Sequence, residues 1–421
     1  MMRIGIIGLG VVGSSVAQIL QSNQDVIAAR AGEEIIPIIG AVRNLHKSRA
    51  NVAFRLVDDV DVVLNDPTID TIVELMGGID EAYAVAQKAL RAGKNLVTAN
   101  KAMLAYYRYE LQEIAGEIPI GFEASVAGGI PIIKALRDGL GANHILEICG
   151  ILNGTCNFIL TNMFLHNMPY ATALAKAQEL GYAEADPSFD VGGFDAAHKL
   201  LILASIAYGI DAKPDSILIE GITDISEDEI AFAREFGYSL KLLAIARKVG
   251  NEVELRVHPA FVPLSEMISR VDGVMNGISV VGDCVGETMY YGAGAGGRAT
   301  ASAVISDLIE IARCKSTPML GFKKSLESGL ILREKDLIRS RYYLRLDVAD
   351  EAGVLAQVAQ ILSSENISIH SLLQPSSQKG AKILLSTHLC SEKHIKSAID
   401  KLATLQFVRH APVMIRIKDS Q

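Results

Sequence analysis

The apolar run Ile4–Ile7 leads straight into Gly8-Leu9-Gly10-Val11-Val12-Gly13, and a helical apolar pattern continues through Val11–Leu20. A GxGxxG element that closes a strand and opens a helix fits one local geometry. The first glycine permits a tight turn, the second leaves room for a pyrophosphate against the backbone, and the third lets helix pack on strand. The free amides and positive dipole of the helix start then face the phosphates. The next stretch continues the theme. Ile35–Val42, Thr71–Leu75, Asn95–Thr98 and Ile118–Phe122 are short apolar runs bounded by turn residues, with helical patterns such as Ala82–Ala92 between them. Strands buried on both faces read as continuous apolar runs, so the alternation predicts a parallel sheet covered by helices. Residues 1–140 are expected to form this α/β dinucleotide-binding domain, completed by a returning helix at about 298–313.

The second strand ends in Arg43, with Lys47 and Arg49 nearby, where an acidic residue is usual. Asp or Glu there binds the ribose 2′-hydroxyl of NAD, whereas Arg accommodates the 2′-phosphate of NADP. NADP is therefore favoured over NAD, with a solvated loop cation as the plainer reading of Arg43.

A chain of 421 residues is too long for one ordinary domain, and 50% apolar content with 21% charge excludes a disordered or fibrous one. The 40 Lys and Arg against 48 Asp and Glu leave a net charge of −8, which argues against nucleic acid as the main partner. Glycines interrupt the apolar N-terminus, and no uninterrupted apolar run reaches the roughly 20 residues that span a bilayer. Cysteines number five, without a CxxC pair, and point to reduced thiols and a cytoplasmic setting.

Beyond residue 140 the rhythm changes. Ile145–Leu152 reads as a strand, Asn153–His166, Tyr170–Leu180 and Asp195–Tyr208 as helices, and Glu252–Val262 and Ile278–Val281 as strands after a helical middle. This predicts an α+β substrate and dimerisation domain over 141–313. Residues 314–340, with Pro318, Gly321 and Gly329, read as a linker. The segment 341–417 runs Tyr342–Val348, Gly353–Ser363, Ile367–Leu373, Lys382–His388, Glu392–Leu402 and Val408–Ile417. That β-α-β-β-α-β order is ferredoxin-like. The module is expected to have its own core, so that deletion from about residue 330 leaves a folded remainder.

Two places carry chemistry. Val97-Thr98-Ala99-Asn100-Lys101 lies at the C-terminal end of a predicted parallel strand, the edge at which open α/β sheets bind ligands. Asp195 and Lys199, four residues apart, share a helix face that continues through Ile202, Leu203 and Ile206. A lysine on an apolar stripe must pair or occupy a pocket, and desolvation makes it easier to deprotonate. The plainer alternative is an exposed pair contributing about 0.3–0.5 kcal/mol. Upstream, Gly181-Tyr182-Ala183-Glu184-Ala185-Asp186-Pro187 adds carboxylates. No His/Cys cluster has metal-ligand spacing, and His198 reads as a packed histidine.

Together with Gly8–Gly13 and Val97–Lys101, the blocks FEASVAGGIP (Phe122–Pro131), LNGTCNFIL (Leu152–Leu160), Gly181–Pro187, GGFDAAHK (Gly192–Lys199) and GAGAGGRATASAV (Gly292–Val304) resemble the homoserine dehydrogenase family. Cys156 and Arg298 depart from the commonest family pattern, which has Thr and Pro there. The resemblance implies reversible NAD(P)H-dependent reduction of aspartate 4-semialdehyde to homoserine, in threonine, methionine and isoleucine biosynthesis. It implies Lys199 as proton donor and Lys101 as the second active-site lysine. Cofactor contacts are implied for Gly8, Gly10, Val11, Val12, Gly13, Arg43, Thr98, Lys101, Gly181 and Gly297, and substrate contacts for Glu184 and Asp195. A sodium-type site is implied at Glu123 with backbone oxygens near Val126, Gly128 and Ile130. A hydride delivered to an aldehyde leaves negative charge on oxygen, which a nearby ammonium stabilises and protonates.

The C-terminal stretch Leu346–Leu355 with Ile361–Ile369 resembles an ACT domain, implying threonine as an effector or, alternatively, a module that only dimerises. A homodimer or homotetramer is expected, and the start at the first strand reads as the single-activity form. Two competing readings stay open. One is an amino-acid-sensing regulatory protein with an inactive dinucleotide fold, which would have no need of the lysines. The other is a different oxidoreductase, but Cys149, Cys156 and Cys284 sit in no recognisable thiol-nucleophile motif.

Overall fold

The computed structural model describes residues 1–47, 52–313, 318–324, 326, 329–374 and 381–418, so Arg49 lies outside the described residues. Strands β1 (Met2–Ile7), β2 (Ile35–Ala41), β3 (Arg55–Val57), β4 (Thr71–Glu74), β5 (Asn95–Thr98) and β6 (Ile120–Gly121) form one sheet in the order β3-β2-β1-β4-β5-β6. All its pairings are parallel. The order reverses between β1 and β4, which opens a crevice at the C-terminal strand ends. The returning helix, Gly297–Ala312, lies against the helix Val11–Ser22. Its Ala301, Val304 and Leu308 share a core with Ile4, Val16 and Val97. The chain thus leaves this layer after β6 and comes back to close it.

The remaining strands are β7 (Ile145–Ile151), β8 (Leu218–Ile219), β9 (Tyr238–Val249), β10 (Glu252–Pro263), β11 (Met275–Gly282), β12 (Gly286–Ala293), β13 (Ile331–Leu332), β14 (Arg339–Val348), β15 (Ile369–Leu373), β16 (Ala381–Thr387), β17 (Cys390–Ser391) and β18 (Val413–Ile417). The main path of this second sheet runs β12-β11-β7-β9-β10-β18-β14-β16-β15. The expected helical middle is corrected here, because after the helix Glu227–Glu235 the run Tyr238–Val249 is a long strand. Leu240 and Leu242 face one core and Leu243 and Ile245 the other. A strand apolar on both faces has no period that separates it from a buried helix.

Two further expectations change in the C-terminal third. Within the linker 314–340, the described Met319 and Leu320 are buried in the main core, and β13 pairs with β10. The ferredoxin-like module has its expected order and its own cluster around Leu344, Val358 and Ile395. It is nevertheless continuous with the rest, since β18 pairs in parallel with β10 through Ala260↔Arg416 and Phe261↔Ile417. The rings of Tyr343 and Phe232 pack in a tilted arrangement with centroids 4.2 Å apart, and Arg345 reaches Glu229 at 2.7 Å. An unpaired β10 edge would be a liability, and β13, β8 and the module's β18 cover successive parts of it. Among the described residues no helix is long and apolar enough to cross a membrane.

Candidate active site

The helix Phe194–Tyr208 begins at Gly193, whose φ of 85° suits a residue without Cβ. Asp195 falls in its first turn and Lys199 one turn later, both buried. The Lys199 Nζ donates to Asp195 Oδ2 at 2.7 Å and to the Leu152 carbonyl at 2.7 Å. From across the crevice Lys101, the first residue of the helix Lys101–Ala115, brings its Nζ within 2.6 Å of Asp195 Oδ1. One carboxylate thus holds two ammonium groups delivered by different layers. Lys101 keeps 38% of its side chain exposed against 3% for Asp195, so its outer side faces the opening.

Asn153 ties the cluster together. Its Oδ1 caps the helix Gly154–His166 by accepting from the Cys156 amide, while its Nδ2 donates to Asp190 Oδ1 at 2.8 Å and Asp195 Oδ2 at 2.9 Å. Asn276 donates to the same Leu152 carbonyl as Lys199, at 3.2 Å. These groups line a cavity of about 390 Å³ whose wall is the chain Ala293–Gly296. A side chain at Gly294 would lie 2.1 Å from Asn276, which explains the glycine. A larger cleft of about 620 Å³, between the helices Gln24–Ala31 and Gly297–Ala312, holds none of these groups.

Burial is the largest influence on each charge. It pulls Lys199 down, and Asp195 offsets this only in part while the like charge of Lys101 adds to it, so Lys199 lies below the usual lysine range. Burial also pulls on Lys101, but Asp195, with Asp190 and Glu184 behind it, carries this lysine above its usual value. Burial pushes Asp195 up, and the two lysines overrule it, holding the carboxylate well below its usual range. The result is one lysine held strongly cationic beside one that releases its proton more easily.

The fingerprint turn has the form its glycines imply. Gly8 has a φ of 97°, and a Cβ there would lie 2.5 Å from the Leu75 carbonyl; one on Gly13 would lie 2.2 Å from the Gly8 carbonyl. Gly10 has open space, and the helix after it has no side-chain cap, which leaves amides for phosphate. Val11 and Val12 begin that helix, and a Cβ on Gly297 would lie 2.8 Å from the side chains of Val11 and Ser15. Arg43 stands just beyond β2, exposed, 3.4 Å from Glu81. Thr98 donates to the buried Glu74 at 2.5 Å and accepts from the Asn100 amide. Gly181 lines the cavity, whereas Glu184 is exposed and not part of its lining.

Glu123 lies apart from the lysines. Both its oxygens accept helix-start amides, from Ile133 at 2.8 Å and Lys134 at 2.9 Å. Burial, with Asp307 adjacent, raises its carboxyl to about 7. Val126 and Gly128 are buried, and among the described residues no hydrogen bond ends on either carbonyl, whereas that of Ile130 accepts from Ile132.

Sequence reasoning assigned no role to Asn153, Asp190, Asn276 or Glu74. Asn153 was the most accessible, as an asparagine at the first position of a predicted helix.

Known proteins resemble this chain throughout. The family model "Homoserine dehydrogenase, NAD binding domain" matches residues 8–118, "Homoserine dehydrogenase" 131–309, and "ACT domain" 342–406. The homoserine dehydrogenase of Helicobacter pylori is 55% identical over 99% of both chains. The crystal structure of a homoserine dehydrogenase from Thiobacillus denitrificans superposes with a TM-score of 0.92 at 42% identity, covering 99% of this chain and 98% of its own. A hyperthermophilic archaeal homoserine dehydrogenase mutant in complex with NADPH covers 73% of this chain and 97% of its own, with a TM-score of 0.63 at 28% identity.

Proposed function

The chain belongs to the homoserine dehydrogenase family, and from that premise we propose that its cavity reversibly reduces L-aspartate 4-semialdehyde to L-homoserine with NADPH in preference to NADH. The observation that carries this reading is the single buried carboxylate, Asp195, gripping Lys199 and Lys101 at the mouth of a dinucleotide crevice. Gly8, Gly10 and Gly13, with Val11, Val12, Thr98, Gly181 and Gly297, would hold the nicotinamide cofactor, which would supply the hydride. Lys199, with a lowered proton affinity, donates to the developing alkoxide and takes the proton back in the oxidative direction. Lys101 adds fixed positive charge beside the same oxygen. Glu184 and Asp195 receive the substrate ammonium, helped by Asp190. Arg43 meets the 2′-phosphate, and its exposed position at the end of β2 supports that assignment.

Residues 1–140 with 298–313 act as the cofactor domain, 141–313 as the catalytic and dimerisation domain, 314–340 as a packed connection and 341–417 as the ACT module. Sodium held by Glu123 and the carbonyls of Val126, Gly128 and Ile130 would neutralise the buried Glu123–Asp307 pair. The protein acts in the cytoplasm as a homo-oligomer in the threonine, methionine and isoleucine branch, with threonine acting through the ACT module.

The test is homoserine-dependent reduction of NADP and NAD by purified protein, with and without threonine and sodium, beside Lys199→Ala. Turnover in the variant should fall at least about 10²-fold with cofactor affinity retained. Near-normal turnover returns Lys199 to a structural ion pair, and no homoserine oxidation by the unaltered protein refutes the reading.

A further inference from the structure

The C-terminal strand β18 carries Arg416, one of the largest fully buried side chains in the protein. Its guanidinium bonds two carboxylates from different parts of the chain. It donates to Glu392 at 2.5 and 2.8 Å within the ACT module, and to Glu220 at 2.6 and 2.8 Å outside it. Paired arginine–carboxylate bonds fix orientation as well as distance.

Glu220 directly follows β8, which is zipped to β10 through Arg256↔Leu218 and Val257↔Ile219, and its own amide donates to the Val257 carbonyl at 2.8 Å. The segment then wraps the start of the lysine helix. The Ile222 amide donates to the Val191 carbonyl at 2.9 Å. A Cβ on Gly221 would lie 2.4 Å from that carbonyl, and one on Gly193 would lie 3.3 Å from the Glu220 carbonyl. These contacts have no slack, and two residues beyond Gly193 stands Asp195.

We propose that Arg416 is a positioning residue for the active site: by gripping Glu220 it seats the 218–222 segment against the Val191–Gly193 turn and so fixes where Asp195 and Lys199 stand. The last strand of the ACT module is then part of the catalytic scaffold. The proposal rests on the functional reading only for the identity of the reaction.

Because removing Arg416 would strand buried Glu392, the strut is better cut at its other end. In the full chain, Glu220→Ala leaves the Arg416–Glu392 pair standing. Turnover of homoserine should fall about 10- to 100-fold, the scale of a small misplacement, while KM for NADP stays within about twofold. Amide exchange by mass spectrometry should quicken across residues 189–200. Glu220→Gln, which keeps the length and one acceptor oxygen, should recover part of both; if the alanine variant does not fold, it is read by the same two measurements. Unchanged exchange and unchanged turnover in the folded variant overturn the proposal, as does faster exchange with full turnover. Exchange needs no reaction: a protein that oxidises no homoserine yet loosens at 189–200 would sink the functional reading and keep the strut.

Discussion

Asp195→Asn keeps the shape of the side chain and removes the one negative charge between two lysines. In the native site Lys199 Nζ lies 2.7 Å from Asp195 Oδ2, and Lys101 Nζ lies 2.6 Å from Oδ1. With an effective dielectric of about 20, a unit charge pair at that distance is worth about 6 kcal/mol. Losing that attraction shifts the proton affinity of Lys199. The direction is downward, because burial and the Lys101 charge already disfavour the ammonium and only Asp195 strongly opposes them. Reduction needs protonated Lys199 and is lost as pH rises through its pKa. Oxidation needs the neutral amine and is lost as pH falls through the same value. In the variant both limbs should therefore move to lower pH. The assay is kcat against pH in both directions, on protein shown to be folded by its thermal transition. Removing one member of a buried pair should also cost about 3–5 kcal/mol of stability. Limbs that stay in place in a folded variant would refute Lys199 as the titrating acid, or Asp195 as the charge that sets it.

Burial raises the Glu74 carboxyl from 4.5 to about 7, so its protonated form favours the native state. That contribution is complete below about 4.5 and lost as pH rises through about 7. Glu74→Gln should therefore gain stability over the native protein across that window, by up to roughly 3 kcal/mol, and parallel urea-midpoint curves would contradict this. Arg43→Asp should lower the NADP over NAD ratio of kcat/KM, and an unchanged ratio would make Arg43 a plain surface cation. Truncation at residue 330 should give a protein without a cooperative unfolding transition, because it strips β13 and β18 from the two ends of β10 and takes Tyr343 away from Phe232 and Phe261; a well-folded truncated dehydrogenase would show the module to be dispensable.

Legibility from sequence varied with the range of the interaction. The pattern around Lys199 was informative because its helix is buried on nearly every side from Asp195 to Ile206, which leaves an ammonium no solvent to reach. By contrast, β9 could not be separated from a helix, since both its faces meet a core. Asn153 was visible as a cap, but nothing local to it indicated that its amide would bridge Asp190 and Asp195.

By itself the sequence determined the parallel sheet, the glycine turn and the ferredoxin-like order at the C-terminus. Those depend on hydrophobic period and on sterics between neighbours, such as the 2.2 Å that separates a Cβ on Gly13 from the Gly8 carbonyl. Only the tertiary structure decided that Lys101 and Lys199 share Asp195, and that β18 joins β10 so that Arg416 reaches Glu220. Such meetings depend on how separately formed surfaces dock. An edge strand or a buried charge specifies that it needs a partner, but not which distant residue will fill the place.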